Sequence, residues 1–442
     1  MQIGLGIGTT SRQKWVPSLT EQIRSLLFGS GQQGAWYDPS DMSTLFQDSA
    51  GTVPVTAVEQ PVGRILDKSG RGNHASQATT TNRPVLSRRV NLLTKTEEFG
   101  DAVWFKAGTS VGAGQAPTDG GSITAPDGTS TARLYTFSAA TFVRQELDFP
   151  SGLQGSAKVY VRAGLVSPAK AVRITTNNTL NWSTGFSTKA ALTREWQLVT
   201  HSGVLKTGSA RVYLMFGAVD AAGANDPDCV GSIELWHPSL VPADQASLPY
   251  QRVNTATAYD ADPAKFPAYL RFDGVDDALQ TGNIDFTSTD KMTVWAGVTK
   301  LSDPIEAELY GLSVNPLTSS GSFMFRTSGG NGAATATSGY AKGTASFQQA
   351  FITVPAPVNI VHSLAINLGA SSITNRVNGL ASTTSAALGG VFGNYPLYIG
   401  ARAGTSLYFN GRLYSLIVRG AQSSLSQIEA TELHIKQKMR LP

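Results

Sequence analysis

The densest group of chemically capable side chains in this 442-residue chain is acidic: Asp273, Asp276 and Asp277, gathered around Gly274. Three carboxylates at this spacing can share in ligating a hard cation, and calcium is the candidate, with about six to eight oxygen ligands to find. The competing reading is that the aspartates cap a tight turn, which Asp does well through hydrogen bonds to nearby backbone. The turn reading is favoured, because three residues fall short of a full calcium shell. Asp38, Asp67 and Asn73 are further oxygen donors that only tertiary folding could bring to the same edge. No other cofactor is expected.

Aromatic residues are the second group. Sugars are held by aromatic faces against their C–H patches, framed by polar groups that orient the hydroxyls. Trp182, flanked by Asn178, Asn181 and Ser183 in a polar stretch, is the preferred carbohydrate-binding candidate, and Trp104 is a further one. Trp196 and Trp236 sit in strand-like sequence, where core packing is the expectation.

Catalytic patterns are missing. His74, His201, His237, His362 and His434 are widely scattered and lack paired-ligand spacing, and no nucleophilic triad is expected. The single cysteine, Cys229, rules out an intramolecular disulfide and reads as a bystander thiol. Gly4-x-Gly6-x-Gly8 does not follow a strand and open a helix, so it reads as an extended arm and not a dinucleotide site. A non-enzymatic protein is expected.

The elements that must position these residues are mostly strands. Charged residues are only 15% of the chain, whereas about a quarter is usual. Ser, Thr, Asn and Gly take their place, which suits strands and turns better than long helices. The net charge of +4 forms no basic stripe, so no nucleic-acid partner is expected. Met1 to Gly8 is short and lacks a basic start, and no run is long enough to cross a bilayer; neither a signal peptide nor membrane insertion is expected.

Two series of β-branched and aromatic stretches alternate at period two. One runs through 158–162, 172–175, 211–216 and 232–236, the other through 269–272, 292–298, 360–366, 397–399 and 412–418. Such spacing predicts all-β sandwiches and excludes βαβ units. The Gly-, Ala-, Ser- and Thr-rich stretch 319–347 is expected to supply loops or edge strands and little core. Helix is predicted at the two ends. Ser18 and Glu21 form a capping box before Ile23, Leu26 and Leu27; Ser424 and Gln427 form another, before a face marked by Leu425, Ile428, Ile435 and Met439. The first helix is short enough to need a surface, either its own domain or another subunit.

Specific strings then become recognisable. Asp67-Lys68-Ser69-Gly70-Arg71-Gly72-Asn73-His74-Ala75, with Trp36-Tyr37-Asp38 before it and Asn82-Arg83-Pro84 after, resembles the opening of concanavalin A-like (laminin G-like) domains of bacteriophage virion proteins. The matching continuation, Phe272 to Asp277, stands far downstream, and the closing strands resemble Tyr395 to Gly400 and Phe409 to Tyr414. Between them, Asn91 to Phe99, Trp104, Ala125 to Thr129, Glu234 to Trp236 and Pro249-Tyr250 are similar to a jelly-roll carbohydrate-binding module.

The resemblance implies a fold of two β-sandwiches, a concanavalin A-like lectin/glucanase fold interrupted by a jelly-roll module. Residues 1–34 would be an arm and short helix, 35–90 plus 265–442 the outer sandwich, 91–252 the insert and 253–264 a linker. Glucanases of this fold place paired carboxylates on a Glu-x-Asp-x-Glu strand, which this chain lacks. The implied function is a structural virion protein of tail fibre, baseplate or head decoration, assembled in the host cytoplasm. Its partners would be other virion proteins, further copies of itself (a trimer by analogy) and host-surface glycans. Ile3, Leu5, Ile7, Trp15, Ile23, Leu26 and Leu27 would attach it to the particle. The alternatives are a polysaccharide depolymerase and a purely architectural particle protein.

Overall fold

The structure, a computed structural model, describes residues 18–108, 115–148, 154–177, 186–204, 211–219 and 223–442. Within these the chain forms four antiparallel sheets, paired into two β-sandwiches, and two α-helices.

The outer sandwich is built from both ends of the sequence. Its eight-stranded sheet is centred on Lys291–Lys300, which pairs with Val358–Asn367 on one side and Asn410–Arg419 on the other. Gly34–Tyr37 also pairs with Asn410–Arg419, and Val85–Ser87 pairs with Tyr269–Asp273. In the nine-stranded sheet, Ala75–Ser76 pairs with Leu279–Asp285. Strands from residues 34–87 are therefore hydrogen-bonded to strands about 180 to 385 positions later, and the sandwich closes only when both segments meet.

Alternation explains its two-sided burial. Along Lys291–Lys300, Met292, Val294, Ala296 and Val298 enter the core between the sheets, while Trp295 faces the other way. That outward face is covered by helices α1 (Leu19–Phe28) and α2 (Leu425–Lys438). Both begin with complete capping boxes, Ser18 with Glu21 and Ser424 with Gln427, satisfying N–H groups that a helix start leaves open. Gly297 lets α2 approach: a Cβ there would lie 2.5 Å from Ile435 Cγ2 and 3.0 Å from Met439 Sδ.

Several expectations are corrected here. Ile23 and Leu27 are buried on the protein's own sheet beside Trp36, Trp295 and Ile417, so they are not free to attach to a particle. Leu26 stays exposed at 39%; Ile3, Leu5, Ile7 and Trp15 lie outside the described residues. Leu425 is 57% exposed, leaving Ile428, Ile435 and Met439 as the packed face of the tail. The small-residue stretch 319–347 is not peripheral. It forms Ser322–Ser328 and Ala336–Lys342, interior strands that send Phe323, Phe325 and Ala341 into the core. Gly339 leaves room there for Leu364, since a Cβ would lie 2.3 Å from its Cδ1.

The inserted sandwich has two five-stranded sheets. One runs Gln197–Val204, Gln154–Ala163, Gly231–Pro242, Ala132–Phe137, Thr118–Ile123; the other runs Phe186–Ala191, Ala171–Asn177, Arg211–Gly217, Thr141–Asp148, Phe105–Gly108. Val159, Val161, Ile174, Leu214, Phe216, Ile233 and Leu235 fill the space between them. Cys229 joins this core, where burial pushes its thiol up to about 12, an inert environment for sulfur.

A buried amide clasp joins the two crossings of the chain between sandwiches. Gln251 Oε1 accepts from the N–H groups of Val90 (2.7 Å) and Asn91 (3.0 Å), and its Nε2 donates to Arg88 (3.0 Å) and Asp260 (2.8 Å) carbonyls. Asn91 answers by donating to the Gln251 carbonyl at 3.0 Å and accepting from Leu240 N–H at 3.0 Å. Both amides are at most 1% exposed, so their hydrogen-bonding capacity is met within the protein.

Candidate functional site

The acidic residues form a true turn. Gly274 adopts φ of +79°, Asp273 Oδ1 accepts from Val275 N–H at 2.7 Å and Asp276 N–H at 3.3 Å, and Asp277 Oδ2 accepts from Asp273 N–H at 3.0 Å. Each of the three aspartates nevertheless offers an oxygen within 4.8 Å of the others. Burial, reinforced by the Asp273 charge, raises the Asp277 carboxyl to about 7. Asp38, Asp67 and Asn73 do not join this group. Asp67 accepts from the backbone of Trp36, Ser69 and Asn73 at 2.8–3.0 Å, and Asp38 holds Lys68 at 3.2 Å and Lys438 at 3.0 Å. Asn73 Nδ2 donates to the Gly34 carbonyl at 2.7 Å. This loop fastens the first strand, which is why its Asp, Ser and Asn residues stand where they do.

Trp104 is corrected: it is 1% exposed, stacked against Phe99 at 4.8 Å in the insert core, with its Nε1 donating to the Lys95 carbonyl at 2.8 Å. No sugar can reach its ring. Trp182, Asn178 and Asn181 lie outside the described residues.

Trp196 and Trp236 do pack, but outside the main core, on the outer face of the sheet containing Gln154–Ala163 and Gly231–Pro242. Period two sends Ala157, Val159 and Val161 inward, so Lys158, Tyr160 and Arg162 line this outer face. Tyr160 lies 5.3 Å from Trp236 and Trp196 6.3 Å from it, and Arg162 sits 4.8 Å over the Trp196 ring while its Nε donates to Glu234 at 2.6 Å. Trp236 Nε1 donates to Thr131 Oγ1 at 3.0 Å.

His237 completes the row against the expectation from alternation. The register slips between Lys158/Ser239 and Tyr160/Trp236, so His237 and Pro238 together oppose a single partner residue. A bulge of this kind re-aims a side chain. His237 takes φ of +52°, and its ring stacks on Trp236 at 3.5 Å and on Tyr250 at 3.7 Å. Glu97 (3.2 Å from His237 Nε2) and Thr96 (2.7 Å from the Tyr250 hydroxyl) fix the two rings. A groove of about 170 Å³ opens beside Tyr160, Leu198, His237 and Tyr250, with Lys158 and Ser239 on its rim. Only the Trp-His-Pro string hinted at this, since a proline inside a strand marks an irregular or edge position.

One further group escaped the sequence. Glu308 is fully buried in the nine-stranded sheet, and its carboxyl oxygens have no hydrogen-bond partner among the described residues. Burial raises it to about 8 despite the nearby charges of Arg326 and Arg402. It is a neutral carboxylic acid at neutral pH, and it is closed to solvent.

No protein-family model and no curated protein matches the chain. Among solved structures, a carbohydrate-binding module of the Ruminococcus gnavus sialidase, solved with α2,3-sialyllactose, is 14% identical over 35% of this chain and 97% of its own, with a TM-score of 0.28. Domain 4 of an extracellular arabinanase from Geobacillus stearothermophilus, solved with arabinotriose, is 12% identical over 42% of this chain and 88% of its own, with a TM-score of 0.30. Domains LG4-5 of the mouse laminin α1 chain are 12% identical over 64% of this chain and 87% of their own, with a TM-score of 0.28.

Proposed function

We propose that this is a non-catalytic glycan-binding protein whose contact surface is the outer aromatic face of the inserted sandwich, displayed on a bacteriophage particle. The observation that carries the binding role is the groove, on the scale of one sugar ring, lined by Tyr160, His237 and Tyr250, with Trp196 on the same sheet face. The Tyr160 and Tyr250 rings that line the groove supply contact to sugar C–H patches, and Lys158, Ser239 and the Arg162–Glu234 pair supply directional hydrogen bonds. A shallow groove of this size supports weak binding per copy, so useful affinity comes from several copies on one particle. The virion setting rests on the resemblance of the Asp67–Ala75, Phe272–Asp277 and Tyr395–Gly400 strings.

The test is a glycan array followed by calorimetry on the full chain, with Tyr160→Ala and Trp196→Ala as variants. Each is expected to weaken binding by about tenfold, from the loss of one ring contact and its burial. Binding that survives both substitutions would move the site elsewhere, Trp182 being the first residue to try. Absence of any glycan or host-cell binding would favour the architectural alternative. Location in an intact particle, by electron microscopy with an antibody to the insert, tests the virion assignment.

A further inference from the structure

We infer that the outer sandwich carries an anion-binding pocket at the foot of helix α2, separate from the aromatic face and independent of the glycan reading. A cleft of about 290 Å³ lies where three segments meet: the end of α2, the stretch 263–268, and Arg88 just before the insert. Arg88, Lys438 and Arg440 line it, together with His434 and Ser40.

Two features make it a built site and not a surface patch. His434 is only 3% exposed, yet neither ring nitrogen has a hydrogen-bond partner among the described residues. The neighbouring Trp36, edge-on to it at 6.0 Å, likewise leaves its indole N–H without one. Buried polar groups are nearly always paired, and the imidazole beneath this cleft is an exception. The second feature is the charge balance. Arg88 is 5% exposed and its Nη1 donates to the Phe266 carbonyl at 2.7 Å, which holds the guanidinium in place and leaves other N–H groups of its fork. Arg440 Nη2 donates to the Ala264 carbonyl at 2.9 Å from a left-handed position, φ +57°, just past the helix.

The carboxylates nearby are already neutralised. Asp38 is shared between Lys68 and Lys438 and also accepts from Ser40 Oγ at 2.6 Å, while Asp262 pairs with Lys265 at 3.3 Å. Arg88 and Arg440 make no ion pair among the described residues; Asp262 and the negative end of the α2 dipole offset part of their charge. A guanidinium fork and a second Arg, with the unpaired imidazole beneath them, match a small oxyanion: a carboxylate, as on an acidic sugar, or a phosphate.

The test follows the His434 imidazole by NMR in the full-length chain while inorganic phosphate and, separately, glucuronate are added. Saturable shifts of the ring signals at concentrations of about 10 mM or below are expected. Arg440→Gln, on an exposed side chain, should weaken binding about fivefold, the worth of one charge-assisted contact, without lowering the melting temperature of the free protein. His434→Gln should weaken it similarly; if that variant does not fold, Arg440→Gln alone carries the test. Tighter binding of glucuronate than phosphate identifies an acidic sugar as the source, and the reverse identifies free phosphate. A ring that responds to neither anion, or a response untouched by Arg440→Gln, would overturn the site.

Discussion

The two sandwiches solve the same burial problem in different ways. In the outer one, the face of the eight-stranded sheet turned away from the core is roofed by α1 and α2, which cover Trp36, Trp295, Tyr414 and Ile417. In the insert, the corresponding outer face has no helix over it among the described residues; Trp196, Trp236 and Tyr160 cover each other. A roofed sheet face is spent on stability. The insert's face is instead closed by its own rings, with Trp236 8% exposed. The contrast sets the roofed face apart from the face proposed above as the contact surface.

The link between the two halves is the most sensitive point of this comparison. Gln251→Ala removes four buried hydrogen bonds at the crossing and strands the Val90 and Asn91 N–H groups. The expected cost is about 3–5 kcal/mol, since each buried group left unpaired loses its desolvation compensation. Denaturant unfolding followed by probes in each sandwich should then resolve two transitions; one unchanged transition would show that the halves are not coupled through this clasp.

The roofed sandwich also hides a titration of its own. Glu308 ionises near its ordinary 4.5 when unfolded but at about 8 when folded. Between those values the native state keeps a proton that the unfolded state releases, so stability falls as pH rises through this window and stays low above it. Glu308→Gln should abolish that decline and exceed the parent by roughly 2–4 kcal/mol at pH 9, with little difference below pH 4. Parallel pH profiles of the two proteins would show that the side chain finds a compensating partner.

A smaller effect tests the roof itself. Gly297→Ala pushes a methyl group against Ile435 and Met439 and should cost about 1–3 kcal/mol by overpacking. Thermal melts in the Gln251→Ala background, where the two transitions separate, should place this loss in the outer sandwich, with the insert's transition unmoved. The smallest effect belongs to the acidic turn. Asp277, raised to about 7, loses stability as pH climbs from its ordinary 3.8 toward 7, so Asp277→Asn should gain about 1 kcal/mol at pH 8. Millimolar calcium should leave the parent's melting temperature unchanged if the aspartates serve the turn. A calcium-dependent rise lost in Asp277→Asn would instead make the turn a cation site.

Local rules carried much of the fold. Period-two alternation located the strands on both sides of the insert, because facing residues repeat at the pleat wherever they are buried. The two capping boxes located both helix starts, since a cap is a contact three residues long. The strings around Asp67 and Phe272 pointed to one sandwich in two pieces, and Ala75–Ser76 does pair with Leu279–Asp285. What sequence could not decide was which side of a sheet each large residue takes and what covers it. Trp104 went into a core and Trp236 onto an outer face; a one-residue bulge turned His237 toward Tyr250. Glu308 became a buried neutral acid, and Arg88 met His434 across 346 positions. Each depends on segments far apart in the chain arriving at the same place, and nothing in the local order of residues records that meeting.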